Sequence, residues 1–258
     1  MRWRGSRMQT VAVTAPSCPP RMRGPWLNVD AGELPDEAPE LYAVAHGVSI
    51  ACGGHAGDLA SMGLALDLCK LHGCRAGAHP SYWDREGFGR RVMDMSVANL
   101  GTAVFAQCAS LRQLADHRGL RLSHMKPHGA LYHEANRDPA LARAIVEAAK
   151  NALDSRIVIV GPAGGALETA ARLGGLGFAR EGFADRGTRG DGSLVPRGES
   201  GALITDPDVA ARTAKALALG GAVDTVCVHG DSPGALAIAR AVRAELDALA
   251  ALPTGTRR

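Results

Sequence analysis

Hydrophobic positions along the chain follow two alternating rhythms. Short, mostly apolar runs at Leu27–Asp30, Val48–Cys52, Cys74–Ala78, Leu120–Lys126, Ile157–Val160, Gly177–Glu181 and Val223–Val228 read as seven strands. Between them the spacing changes to three and four. Leu59, Met62, Leu66 and Cys69 form one helix face, and Leu100, Val104, Cys108, Leu111 and Ala115 form another, which Ser96 can cap. Gly73 should stop the first of these helices before the third strand begins. Leu141, Ile145, Ala148 and Ala152 follow Asp138-Pro139, a helix start with Pro in the first turn, where its missing N–H does no harm. Further helices are expected over Ala163–Leu173, from Asp206-Pro207 to Leu219, and through Ile238, Val242, Leu246 and Leu249.

Strand-then-helix repetition with continuous apolar strands implies a parallel sheet, either doubly wound or closed into a barrel. Seven units in 258 residues favour a single distorted (β/α)7, TIM-like barrel over 25–250. Residues 1–24 read as a disordered or mis-started extension and 251–258 as a tail. Nothing in the head has the apolar core of a signal peptide, and no run reaches the roughly 18 apolar residues of a membrane helix.

Composition narrows the partners. Basic residues number 29 and acidic residues 26, a net charge of +3, which argues against nucleic acid or a membrane as the main partner. The 6 cysteines form no CxxC pair, so a zinc knuckle is not expected and the usage is that of a cytoplasmic protein.

Polar residues able to do chemistry cluster just after the strands. Asn28, Asp30 and Glu33 close the first; His55 and Asp58 follow the second; His79 follows the third. Lys126 and His128 end the fourth, Glu181, Asp185 and Arg186 follow the sixth, and His229 and Asp231 end the last. In a parallel barrel these ends meet on one face, where active sites lie. Asp58 and Asp231 each precede a helix and can equally be N-caps. His46, His72 and His117 fall on helices or their ends and read as solvated, and His133 is left open. Pro127 forces Lys126 into an extended conformation, projecting its amine from the strand end. Arg90 and Arg91, in Glu86-Gly87-Phe88-Gly89-Arg90-Arg91, can hold a carboxylate or phosphate. Gly161-Pro162-Ala163-Gly164-Gly165 lacks the Gly-Lys-Ser/Thr of a P-loop and reads as a turn.

Several ordered blocks carry a resemblance. They are Leu27, Asn28, Asp30, Gly32 and Glu33; Ser49–Gly53 with His55–Asp58; Gly77–Pro80 with Gly87–Arg91; Lys126-Pro127-His128-Gly129-Ala130-Leu131-Tyr132; Phe183–Arg186 with Asp191-Gly192 and Leu194–Arg197; and Cys227–Asp231. Together they resemble the LamB/YcsF family of 5-oxoprolinase A subunits, with Trp26, Val29 and Gly54 standing where that family carries Asp, Cys and an aromatic residue. The resemblance implies a seven-stranded barrel similar to polysaccharide deacetylases. It implies ATP-dependent opening of the lactam 5-oxoproline to glutamate in complex with two partner subunits, which handle the ATP.

On that footing Asp30, His55, His79, Lys126, His128, Asp185 and His229 are the expected catalytic set. Asn28, Glu33, Arg90, Arg186 and Asp231 are the expected substrate-binding set. Asp30 or His128 would be the base, Lys126 and His79 would stabilise developing charge, and Arg90 and Arg186 would hold carboxylate or phosphate. Two rival readings remain. One is an ATP-independent metal amidase with Asp30, His55 and His79 around a divalent ion. The other is a non-catalytic subunit that binds a small acid or regulates its partners.

Overall fold

The structure, a computed structural model, describes residues 24–190 and 193–252. The readings of 1–24 and 251–258, and the Asp191-Gly192 pair, fall outside it except for Gly24, Ala251 and Leu252. Seven parallel strands form a closed barrel in chain order: β1 (Trp26–Ala31), β2 (Gly47–Ala51), β3 (Arg75–His79), β4 (Leu122–Met125), β5 (Val158–Gly161), β6 (Gly177–Phe183) and β7 (Thr225–His229). β7 closes on β1 with Asp30 level with His229.

Among the described residues eight helices accompany the strands: α1 (Glu40–Val44), α2 (Leu59–His72), α3 (Val97–His117), α4 (Gly129–Arg137), α5 (Pro139–Ala152), α6 (Ala166–Leu173), α7 (Pro207–Leu219) and α8 (Ala235–Ala251). Local chemistry sets their ends. Asp58 accepts from Ser61 N–H at 2.8 Å in a reciprocal capping box, so it is the N-cap of α2. Gly73 ends that helix in the left-handed region, φ +70°. Ser96 caps α3, and Asp138 and Asp206 cap α5 and α7, each just before a Pro. α6 starts three residues later than its sequence suggests, because Gly164 turns with φ +75° before Gly165 begins the helix. α1 and α4 have no counterpart among the expected helices.

The strands are less uniformly apolar than expected. Leu27, Val29, Ile50 and Ile159 belong to the shell between barrel and helices, with Leu66, Leu111, Ile145 and Ile238. Each such buried side chain contributes roughly 1.5–3 kcal/mol. Alternate positions carry polar groups that meet across the barrel. Lys126, next to the end of β4, reaches Asp30 on β1 and Cys227 on β7, strands that are not its neighbours, so these contacts run through the interior.

At the N-terminal end the interior is plugged. Trp26 packs edge-on to His124 with ring centres 5.3 Å apart, and Arg75 lies over the indole. A Cβ at Gly47 would come within 2.8 Å of that indole, so the residue there must be small. Trp26 therefore forms the barrel floor, and the strand C-terminal ends form its mouth.

Candidate active site

Three groups of side chains gather at the mouth, around a cavity of about 940 Å³. The first is centred on Lys126. Its ammonium lies 2.9 Å and 3.0 Å from the two oxygens of Asp30, 3.3 Å from Asn28 Oδ1 and 3.0 Å from Cys227 Sγ. Burial opposes the charge on both partners of the ion pair, yet the pairing wins. Asp30 is held well below the usual carboxylate range, chiefly by His79 and Lys126, and the Lys126 amine is pushed up by Asp30, Cys227 and Glu181.

Glu181 Oε1 also lies 2.9 Å from Lys126 Nζ. Glu181 faces both the Lys126 ammonium and the Tyr132 hydroxyl, but among the described residues neither of its oxygens nor that hydroxyl completes a well-aligned hydrogen bond. Both residues line the cavity, where a ligand can meet them.

The second group is a dyad. Asp185 accepts from the His229 ring at 3.0 Å through Nδ1, from the His229 backbone N–H at 3.0 Å and from Ser232 Oγ at 2.7 Å. Burial works to raise the Asp185 pKa, but His229 and these hydrogen bonds bring it below its ordinary value. With Nδ1 donating to Asp185, the lone pair of His229 sits on Nε2, and His229 lines the cavity. Its ring stacks on Phe183 at 5.5 Å.

The third group packs His55, His79 and His128 against Glu33. The His55 and His128 rings stack at 3.6 Å with 2° between their planes. Glu33 Oε1 lies 2.8 Å from His55 Nε2, 3.4 Å from His128 Nδ1 and 3.7 Å from His79 Nε2. Burial, then Asp30, Asp231 and Glu37, raise Glu33 well above the ordinary glutamate value. Burial and the neighbouring imidazoles lower His55 and His128. The loop after β3 roofs this group: Phe88 adopts φ +54°, and a Cβ at Gly89 would come within 2.9 Å of both His55 and His128.

The structure thus brings all seven expected catalytic residues together at the mouth, in two layers. Asp30, His79, Lys126, His128 and His229 line the cavity; His55 and Asp185 stand behind them. Of the expected substrate contacts, Arg90 and Arg186 line the cavity, but Asn28, Glu33 and Asp231 do not. Asn28 lies beneath Lys126 and donates to Thr225 Oγ1 at 2.8 Å. Glu33 is enclosed by imidazoles. Asp231 is occupied by Arg90 and Arg197, and the residue that caps α8 is Gly234, so Asp231 is not that helix's N-cap. Arg186 spends two donors on the carbonyls of Ala202 and Val195, pinning the segment after β6.

The proposed Asp30/His55/His79 metal set is also regrouped. Asp30 pairs with Lys126 and falls in a buried trio with Cys227 and His229, while His55 and His79 join Glu33 and His128 in a group of four buried donors within 4.8 Å of one another; either group can hold a metal ion. His46 is not solvated: its Nδ1 accepts the Leu27 N–H at 3.0 Å, and burial, then Arg243, lowers its pKa to about 4. Glu181, Tyr132, Cys227 and Arg197 are site residues that the expected sets omit. Glu181 was visible as a charged residue at a strand end. The others needed the closed barrel to place them.

The decisive comparison is a match of residues 27–252 to the model of the LamB/YcsF family. The chain belongs to the LamB/YcsF family. Similar members include the A subunit of 5-oxoprolinase from Methylococcus capsulatus, 43% identical over 86% of this chain and 92% of that one. The protein of the same name from Heliobacterium modesticaldum is 42% identical over 86% and 93%, and that from Streptomyces avermitilis 40% over 86% and 95%. Among solved structures, the lactam utilization protein of Thermus thermophilus superposes with a TM-score of 0.80 at 38% identity, over 88% of this chain and 97% of that one. The family's barrel is thus this chain's barrel. A T48 deacetylase aligns with a TM-score of 0.44 at 11% identity, too distant to bear on the chemistry.

Proposed function

We propose that this chain is the ring-opening component of an ATP-dependent 5-oxoprolinase, converting 5-oxoproline to glutamate with two partner subunits. The relatives' names and the family's association with lactams support the substrate. The Asp185–His229 dyad, with His229 in the wall of the cavity, is the observation that carries the reaction type.

A five-membered lactam is a resonance-stabilised amide and a poor electrophile. Phosphorylation of its oxygen, at the expense of ATP, makes the carbonyl carbon attackable. No P-loop motif occurs in the sequence, and that step is assigned to the partners. In the step assigned here, His229 Nε2 takes a proton from water as the water oxygen bonds to the carbonyl carbon. The buried Asp185 carboxylate fixes the tautomer and steadies the imidazolium that forms. When the carbon–nitrogen bond breaks, the same imidazolium returns the proton to the ring nitrogen and the phosphoryl group stays on the freed carboxyl as an acyl phosphate, which a second water splits to glutamate and inorganic phosphate. The Glu181 carboxylate, which lines the cavity beside Lys126, accepts the N–H of the ring and of the product amine. Arg90 and Arg197 face the cavity and offer guanidinium donors for a carboxylate or phosphate.

This assigns the base to His229 rather than to Asp30 or His128. Asp30 is too weak a base while Lys126 holds it. His128 gives its Nε2 hydrogen to the Phe88 carbonyl at 2.9 Å, and its Nδ1 lone pair is turned into the histidine group, 2.9 Å from His79 Nε2 and 3.4 Å from Glu33 Oε1. The three protons of Lys126 are matched by Asp30, Asn28 and Cys227, so its role is to hold Asp30 rather than to meet an oxyanion.

The chain, purified with its two partner subunits, should release glutamate from 5-oxoproline in step with ATP hydrolysis. The absence of any turnover with a folded, assembled complex would defeat this function.

A further inference from the structure

The histidine group beside the dyad poses a proton-counting problem. His79 Nδ1 lies 2.7 Å from the Lys126 carbonyl, which can only accept, so Nδ1 carries the hydrogen. His128 Nε2 lies 2.9 Å from the Phe88 carbonyl and must likewise donate. His55 Nδ1 lies 3.0 Å from Ser81 Oγ, whose own proton goes to the Tyr82 carbonyl at 2.8 Å, so this nitrogen donates too. Each neutral ring has then spent its hydrogen outward.

The inward atoms are His55 Nε2, His79 Nε2, His128 Nδ1 and Glu33 Oε1: four lone-pair donors within 4.8 Å of one another, all on buried residues. Two of their separations are 2.8 Å and 2.9 Å, hydrogen-bond distances with no hydrogen to place between them. Either two added protons or one divalent cation resolves the repulsion. The outward hydrogen bonds are those that orient metal-bound histidines.

We propose that Glu33, His55, His79 and His128 form a site for one divalent cation of the zinc class. Three imidazoles and a carboxylate are borderline ligands suited to Zn²⁺ and Co²⁺. Four donors around an ion at about 2.0–2.1 Å stand roughly 3.3 Å apart in a tetrahedron. The separations of Glu33 Oε1 from the three nitrogens, 2.8, 3.4 and 3.7 Å, straddle that value, and the parallel His55 and His128 rings, stacked at 3.6 Å, must turn out of their stack for both lone pairs to reach one ion. In the other candidate trio, Asp30, Cys227 and His229, the first two already hold the Lys126 ammonium, whose charge takes the place of a metal's. The His79 and His128 edge borders the cavity, so the ion would sit at the wall of the active site. The site stands on hydrogen-bond geometry and does not depend on the lactam reading.

The test uses the full chain, stripped of metal with a chelator and shown by circular dichroism to be folded. Titration with Zn²⁺ should give one equivalent bound. Titration with Co²⁺ should give visible absorption of a four- or five-coordinate nitrogen and oxygen site, without a thiolate charge-transfer band. His55→Asn and His128→Asn should each weaken Zn²⁺ binding by more than the roughly 10–100-fold that loss of an outer-sphere partner costs. His46→Asn, on the far side of the barrel, should change nothing. A folded, stripped wild-type chain that takes up no Zn²⁺ or Co²⁺ overturns the site in favour of the two protons. A thiolate band places the metal on a cysteine and overturns it as well. Both wild-type readings decide the matter even where a variant fails to fold.

Discussion

His124, at the floor of the barrel, and the histidines of its mouth are equally hidden from solvent, yet their hydrogen bonds differ in kind. His124 Nδ1 is 2.8 Å from Ser123 Oγ, and that hydroxyl gives its proton to the Ala76 carbonyl, so Nδ1 donates. Nε2 then accepts from Ser49 Oγ at 3.3 Å. Every proton has one place, and burial, followed by Arg75 and Lys126, lowers the ring's pKa to about 3, keeping it neutral. Asn28, Thr225 and the Trp26 carbonyl form a similar closed chain. At the mouth the counting fails twice: four lone pairs meet around Glu33, and Glu181 and Tyr132 complete no well-aligned hydrogen bond among the described residues. A buried polar group that is satisfied specifies the fold, whereas one left unsatisfied awaits something the chain does not supply.

That contrast can be broken most sharply at the dyad. His229→Ala should lower kcat for 5-oxoproline opening by about 10²–10⁴-fold per folded molecule, the usual share of a general base. A variant that keeps its rate would return the mouth to the structural class. Next in size, Lys126→Met should cost about 3–5 kcal/mol in urea unfolding, because it leaves Asp30 and Glu181 charged, buried and unpaired. Full stability would mean that those carboxyls readily take up protons.

On the floor, Gly77→Ala should cost about 1–3 kcal/mol, since a Cβ there collides with the His124 ring. Activity per folded molecule should survive, and its loss would show that floor and mouth are coupled. The smallest effect concerns His46. Its pKa is 6.5 when unfolded and about 4 when folded, so the unfolded chain binds the extra proton. The stability it lends is complete above pH 6.5 and is lost as pH falls towards 4. Partial exposure reduces this to something on the order of 1 kcal/mol. Chemical denaturation across that range should show a steeper loss for wild type than for His46→Asn; identical slopes would remove His46 from the count.

Much of this arrangement was legible in the sequence. Seven apolar runs sit within two residues of the seven strands, and the convergence of Asp30, His79, Lys126, His128 and His229 follows once parallel strands close. What stayed hidden depends on contacts between distant segments. His46 looks like a solvated helix-end residue until the Leu27 N–H is seen to need an acceptor. Asp30 looks like a metal ligand or base until Lys126, 96 positions away, reaches across to it. α4 escaped notice because it starts at Gly129, with φ +58°, and its buried face, Ala130, Leu131, Tyr132 and Ala135, is compressed into nine residues. At Gly54 the space a side chain would need is filled by Ser81 and Gln107, which hydrogen-bond to each other.

Because Trp26 and His124 stop up one end of the barrel, the molecule works as a blind well rather than a tunnel. Reactant and product share one doorway, so each turnover must empty the chamber before the next can start. Any companion protein resting on that rim, where Trp83 and Val92 offer exposed apolar surface on the loop after β3, would govern arrival and departure at once.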